Sequence, residues 1–187
     1  MSAADKLIES FATMVRAHGV PIREDDNGLR LSAFEKTLPK RLPQSFRSLL
    51  SHYSFPAFDV MGVLLFRWDS DTNPYIEEAA AAKGSLSELL LPSGYVHIGR
   101  PEGGDFDAIC FDLNQQAQNR EFRIVQIDHE YILCDWRICV SGELWPSFVK
   151  LVDSALSTGD PQVYYTGLLR RPNNRLVRRT TTTFDNG

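Results

Sequence analysis

Residues 95–127 read YVHIGRPEGGDFDAICFDLNQQAQNREFRIVQI. Three apolar stretches, 95–98, 106–113 and 122–127, are divided by a Gly/Asp turn and an Asn/Gln turn. β-Branched and aromatic residues dominate these stretches, and connections this short join strands that run antiparallel. Residues 136–140, where Trp, Ile and Val alternate with Arg and Cys, predict one more strand.

Upstream the texture is helical. Ser2 is placed to cap a helix over 3–18, with Leu7, Phe11, Met14 and Val15 on one face. Ser32 and Glu35 have the spacing of a capping box at the start of a short second helix. Pro43 opens a third, running to about His52. The apolar run 60–66 predicts one strand buried on both faces. Residues 75–83, with four consecutive alanines, predict a helix, and 85–88 repeat the capping-box pattern. After Trp145-Pro146, Phe148, Leu151, Val152, Ala155 and Leu156 keep a helical stripe, and 163–165 predict an edge strand. Early helices and late strands make an α+β fold, an antiparallel sheet with helices packed on one face. A single domain is expected over 1–169, followed by an Arg/Thr-rich flexible tail, 170–187, dispensable for folding.

The 187 residues are 43% apolar and 24% charged, enough to bury a core and too ordered in composition for a disordered chain. The apolar runs fall far short of the ~20 residues a membrane helix needs. The start MSAADKLIES lacks the basic and apolar regions of a secretory signal. Cys110, Cys134 and Cys139 are odd in number and without zinc-ligand spacing, which predicts reduced thiols and a cytoplasmic location. Arg170, Arg171, Arg175, Arg178 and Arg179 account for five of the 20 basic residues. The chain up to Leu169 keeps 15 basic against 23 of the 24 acidic residues, a net of −8. Such a body repels nucleic acid and speeds association with a basic partner. Plain solubility explains the same imbalance.

Motifs for phosphate, dinucleotide, acyl-transfer and zinc chemistry are absent. Gly103-Gly104-Asp105 reads as a turn. Asp128-His129-Glu130 is the densest polar cluster. If the strand continues through it, Asp128 and Glu130 share a face and His129 points away, which disfavours a three-residue site. No catalytic residue, cofactor site or metal site is assigned.

Several segments together resemble the SUKH superfamily, the SMI/KNR-like or cell-wall-assembly-regulator-like domain. The first is FEKTLP at 34–39 with LPQSFRSLL at 42–50, similar to that family's early helix, LP step and second helix. Ile98-Gly99, Gly103-Gly104-Asp105 and the strand 108–113 are similar to its "IG…GGD…cfDl" core. VQIDHE at 125–130 resembles its "iDHE" strand, and 147–152 its closing helix. The best-matched core is 32–156. Residues 54–57 stand where an Asn-Gly-Gly turn is common, and 69–91 match poorly.

The resemblance implies a fold without catalytic residues. In bacteria it implies an immunity protein that binds and neutralises a cognate polymorphic toxin, a nuclease among the candidates. The alternative it implies is an intracellular adaptor or regulator. A third class is a metal-dependent enzyme using Asp128, Glu130 and Asp105. The expected partner is a protein, not nucleic acid and not a membrane. Its docking site is expected on a loop rim formed by Glu102, Asp105, Asp107, Asp128, His129 and Glu130, with Tyr95, Tyr131 and Trp136 as aromatic anchors. Asp105 and Asp128 have an alternative reading as turn caps.

Overall fold

The computed structural model describes residues 2–69, 76–77, 85–102, 106–116, 120–158 and 161–165. Helix α1 spans Ala3–Ala17 and starts with the expected cap: Ser2 Oγ accepts from the Asp5 amide while the Asp5 carboxylate accepts from the Ser2 amide. A two-residue strand β1 (Arg23–Glu24) follows, then α2 (Gly28–Glu35), α3 (Gln44–His52) and β2 (Tyr53–Ser54). The main sheet is β3 (Phe58–Val60), β4 (Val63–Leu65), β5 (Tyr95–Pro101), β6 (Ala108–Gln116), β7 (Phe122–Ile127) and β8 (Val140–Trp145). These six strands lie in chain order, every neighbour antiparallel. Short helices α4 (Ser85–Leu90) and α5 (His129–Asp135) interrupt the strands, and α6 (Phe148–Ser157) closes the domain.

The α+β reading holds, with α1, α2, α3 and α6 on one face of the sheet. Phe148 of α6 lies 5.0 Å from Phe46 of α3, 6.3 Å from Phe11 of α1 and 6.4 Å from Phe111 of β6, each ring edge-on. Edge-to-face aromatic packing therefore joins three helices and the sheet at one residue. The opposite face is not wholly open. Leu90 of α4 and Ile132 of α5 cover Ala108, Cys110, Val125 and Ile127 in a smaller cluster.

Four local expectations need correction. Ser32 lies inside α2, which begins four residues earlier at Gly28, so it caps nothing. The run 60–66 folds as a hairpin, because Met61 (φ 52°) and Gly62 (φ 79°) take the left-handed conformation of a two-residue turn. The late strand is Val140–Trp145, because 136–139 end α5 and cross back. Of the segment 163–165, Tyr164 makes a single antiparallel bridge to Asp59. Of the helix expected over 75–83, Ile76 and Glu77 are described and helical; its other residues, and the tail from Arg170, lie outside the described residues.

A buried carboxylate ties the two layers together. Glu121 leads into β7, yet its oxygens accept from the Ser45 backbone N–H at 3.1 Å and from Ser45 Oγ at 2.9 Å, at the start of α3. The Val149 amide, at the start of α6, also favours its charge. Pro43, the residue before α3, offers no side-chain cap, so Glu121 takes that role from across the domain. Burial pushes the Glu121 pKa up, and the hydrogen bonds from Ser45 and Val149 offset only part of that rise. A raised carboxyl pKa contributes most stability below the unfolded value and loses it as pH rises through the folded one. Glu121→Ala should cost about 2–4 kcal/mol, since it orphans buried donors. Glu121→Gln should cost less, and in urea titrations it should gain on wild type as pH rises above about 4.

Candidate partner-binding site

The candidate residues gather where β6 begins, β7 ends and α5 starts. Asp128 is not part of a continuing strand. It is the N-cap of α5, and its Oδ1 accepts from the amides of Glu130 (2.8 Å) and Tyr131 (3.4 Å). The helical turn reverses the predicted geometry: His129 swings back toward the sheet, and Glu130 faces solvent. A capping Asp and a following acidic residue suit the positive end of a helix.

Asp107 receives this turn. Its Oδ1 accepts from the His129 backbone N–H at 3.0 Å and lies 2.8 Å from His129 Nδ1. Its Oδ2 accepts from Gln126 Nε2 at 2.6 Å. Burial pushes the Asp107 pKa up, but the bonds from His129 and Gln126 outweigh it and leave the carboxyl below its ordinary value. Ligand-type atoms of Asp107, Asp128 and His129 lie within 4.8 Å of one another. Oxygens of both carboxylates already accept the hydrogen bonds that fix the β7–α5 turn, so the cluster has a structural role as it stands.

The other expected residues have different surroundings. Glu102 is exposed at the end of β5, where its amide donates to the Gly62 carbonyl. Its charge, with burial as the larger cause, raises the pKa of Asp59. Asp105 lies outside the described residues. Tyr95 packs into the smaller cluster and is half-buried. Tyr131 lies under the Arg137 guanidinium, 4.5 Å from the ring centroid. Trp136 is 55% exposed and caps the C-terminus of α5 in the left-handed conformation, φ 51° and ψ 44°. A non-glycine residue there carries roughly 1 kcal/mol of strain.

Two contributors escape a reading of the sequence. Phe106 looks like a buried strand residue but is 61% exposed, with its ring 5.9 Å from that of His129. Arg100 lies between two aromatic rings, 5.6 Å from Phe106 and 5.9 Å from Phe66. Beneath it, His97 is buried edge-on to Phe66, and burial together with the Arg100 charge pushes its pKa down to about 4. The preceding Gly103-Gly104-Asp105, turn-forming in composition, is the sequence signal that could have marked Phe106 as a loop residue.

Leu133 lies on α5 and Trp136 caps it. Leu133 is 58% exposed, so with Trp136 and Phe106 it presents large apolar side chains to solvent on and beside α5.

The profile of the SMI1 / KNR4 family (SUKH-1) matches residues 29–154, more than half of the chain. The chain belongs to the SMI1 / KNR4 (SUKH-1) family. Among curated proteins no significant match was found. The family motifs gain physical roles here. In the Ile98-Gly99 step, a Cβ on Gly99 would run into the Leu64 carbonyl oxygen, so the β4–β5 approach requires glycine. In Asp128-His129-Glu130, the first residue caps α5 and the second binds the frame.

Asp107→Asn should cost about 1–3 kcal/mol at neutral pH, because it weakens a buried acceptor shared by three donors. Its depressed pKa gives stability that is present above the unfolded value and lost as pH falls through the folded one. The gap between wild type and variant, measured by denaturant titration, should be flat above about pH 5 and shrink below about pH 4.

Proposed function

We propose that this chain is a non-catalytic binding module that neutralises a cognate bacterial toxin domain by occluding it. The carrying observation is the set of exposed apolar side chains on and beside α5, Phe106, Leu133 and Trp136, next to the hydrogen-bonded Asp107 frame. Large apolar residues exposed near one another mark contact surfaces, and Trp is a preferred interface anchor. Trp136 occupies a strained cap where glycine would fit better, a cost that contact with a partner would explain. Family membership supports a protein partner. Glu102 and Glu130 remain solvent-facing at this rim and suit a basic toxin surface, with the acid-rich body steering the encounter.

The chain's activity is tested by co-expression with a toxin domain encoded beside its gene. Wild type should restore growth and co-purify with that domain. Phe106→Ala with Trp136→Gly should weaken the complex by at least about tenfold. Trp136→Gly should be no less stable than Trp136→Ala, since glycine relieves the left-handed cap. Undiminished affinity in the double variant would place docking elsewhere. Turnover of a substrate by the purified chain would reject the non-catalytic reading.

A further inference from the structure

Arg100 sits on β5, and a β-bulge decides what lies beside it. The β5–β6 pairing passes from His97 opposite Cys110 to Gly99 opposite Ile109, leaving Ile98 as the extra residue. The bulge therefore puts His97 and Arg100 on one face of the strand, where three residues of regular strand would have set them apart. Cys110 belongs to the smaller cluster, so this is the α4–α5 side of the sheet. Phe66 and Phe106 flank the Arg100 guanidinium at 5.9 and 5.6 Å, and the Phe106 ring lies 5.9 Å from that of His129 on α5.

Two buried nitrogens at this position have no partner. Arg100 Nε and His97 Nε2 are both shut off from solvent and neither is hydrogen-bonded, and His97 as a whole is only 4% exposed. A buried polar atom without a partner has given up water for nothing, so such atoms are rare and mark a role left open. Two other arginines stack on aromatic rings, and each has its carboxylate. Arg30, over Trp68, pairs with Glu77 at 3.1 Å; Arg137, over Tyr131, pairs with Asp135 at 3.3 Å. Arg30 Nη2 is also a buried orphan, but the same guanidinium bonds to Glu77 and to the Asp69 carbonyl. Among the described residues no carboxylate pairs with Arg100. Glu102, two positions on, bears instead on Asp59, whose pKa burial and then Glu102 raise. Burial first and the Arg100 charge second hold the His97 pKa at about 4. The ring is then uncharged at neutral pH and does not repel a cation's ligand.

We propose that Arg100 receives an acidic side chain of a protein partner, its carboxylate pairing with the guanidinium held between Phe66 and Phe106. A guanidinium presents paired donors that match a carboxylate, and stacking on the two rings fixes its plane. The rings also lower the local dielectric, which strengthens a charged hydrogen bond made there. Phe106 belongs to the exposed apolar set beside α5, so the same partner reaches Arg100 without a second surface. Arginine is a preferred interface anchor. One carboxylate in register with Arg100, on a partner otherwise suited to Glu102 and Glu130, separates a cognate partner from other basic proteins. The source of the carboxylate rests on the protein partner proposed above, whereas the affinity of Arg100 for a carboxylate does not.

The chain alone is tested with acetate, observing the arginine Nε–H groups in proton–nitrogen correlation spectra at near-neutral pH. The Arg100 signal, identified by its loss in Arg100→Gln, should shift saturably with acetate and not with chloride at equal ionic strength. Arg47 and Arg123, already paired, should barely respond. The His97 ring signals should follow acetate in wild type and not in Arg100→Gln. That variant loses no hydrogen bond of the free chain and should unfold at nearly the wild-type urea concentration. Against the toxin domain encoded beside the gene, Arg100→Gln should weaken binding at least about tenfold. An acetate response no larger than that of chloride would overturn the proposal. An unchanged toxin-domain affinity in Arg100→Gln would overturn it too, because the site would then hold an adventitious ion only. Loss of affinity in Arg100→Gln with none in Trp136→Gly would uphold Arg100 and reject Trp136 as an anchor, so the two readings fail separately.

Discussion

One buried carboxylate, Glu121, joins the helical layer to the sheet. Two helix starts, those of α3 and α6, meet over the β6–β7 connection, and each brings backbone donors with no partner of their own. A charged acceptor at that meeting point satisfies them, and burial makes its loss expensive. The aromatic contacts of Phe148 with Phe46 and Phe111 then fill the space that this clamp encloses. Hydrophobic packing supplies the bulk of the stability, while the carboxylate fixes where the helices sit.

The opposite face is positioned by the same strands. With β6 and β7 in register, Asp107 at the start of one faces Gln126 and His129 at the end of the other. Their hydrogen bonds set the direction of α5, and with it where Leu133 and Trp136 meet solvent. Arg123 adds a second tie, binding Asp112 at 2.7 Å across the same strand pair. The two carboxylates respond oppositely to acid. Asp107 loses its contribution as pH falls, whereas the strain on Glu121 is relieved.

The strands and long helices were legible because each has strong periodicity: α1, α3, β7 and α6 fall close to where the residue pattern puts them. The misreadings share a cause. Ser32 and Glu35 have capping-box spacing, but α2 had already begun after Asn27, whose buried side chain bonds to Tyr53 and Ser54. Met61-Gly62 turns a run that looks uniformly apolar. Asp128 reads as a strand end until one sees that Asp107, 21 positions earlier, receives the following residue. Glu121 drew no notice because Ser45, its partner, is 76 residues away. Of the candidate site, the residue pattern grouped Asp107 with Asp128–Glu130, which the structure sets side by side, but it read Asp107 as open surface charge and left Asp128 between surface charge and turn cap. Tertiary hydrogen bonds decide that difference, and no local pattern carries them.

Hydrogen exchange on the full chain, with and without the toxin domain encoded beside its gene, tests the central claim most directly. Binding should slow exchange along 129–136 and at 106–107, around the exposed Phe106, Leu133 and Trp136, while α6 and the Phe148 core keep their free-state rates. Protection confined to the helical face over α1 and α3, with α5 unchanged, would contradict the account.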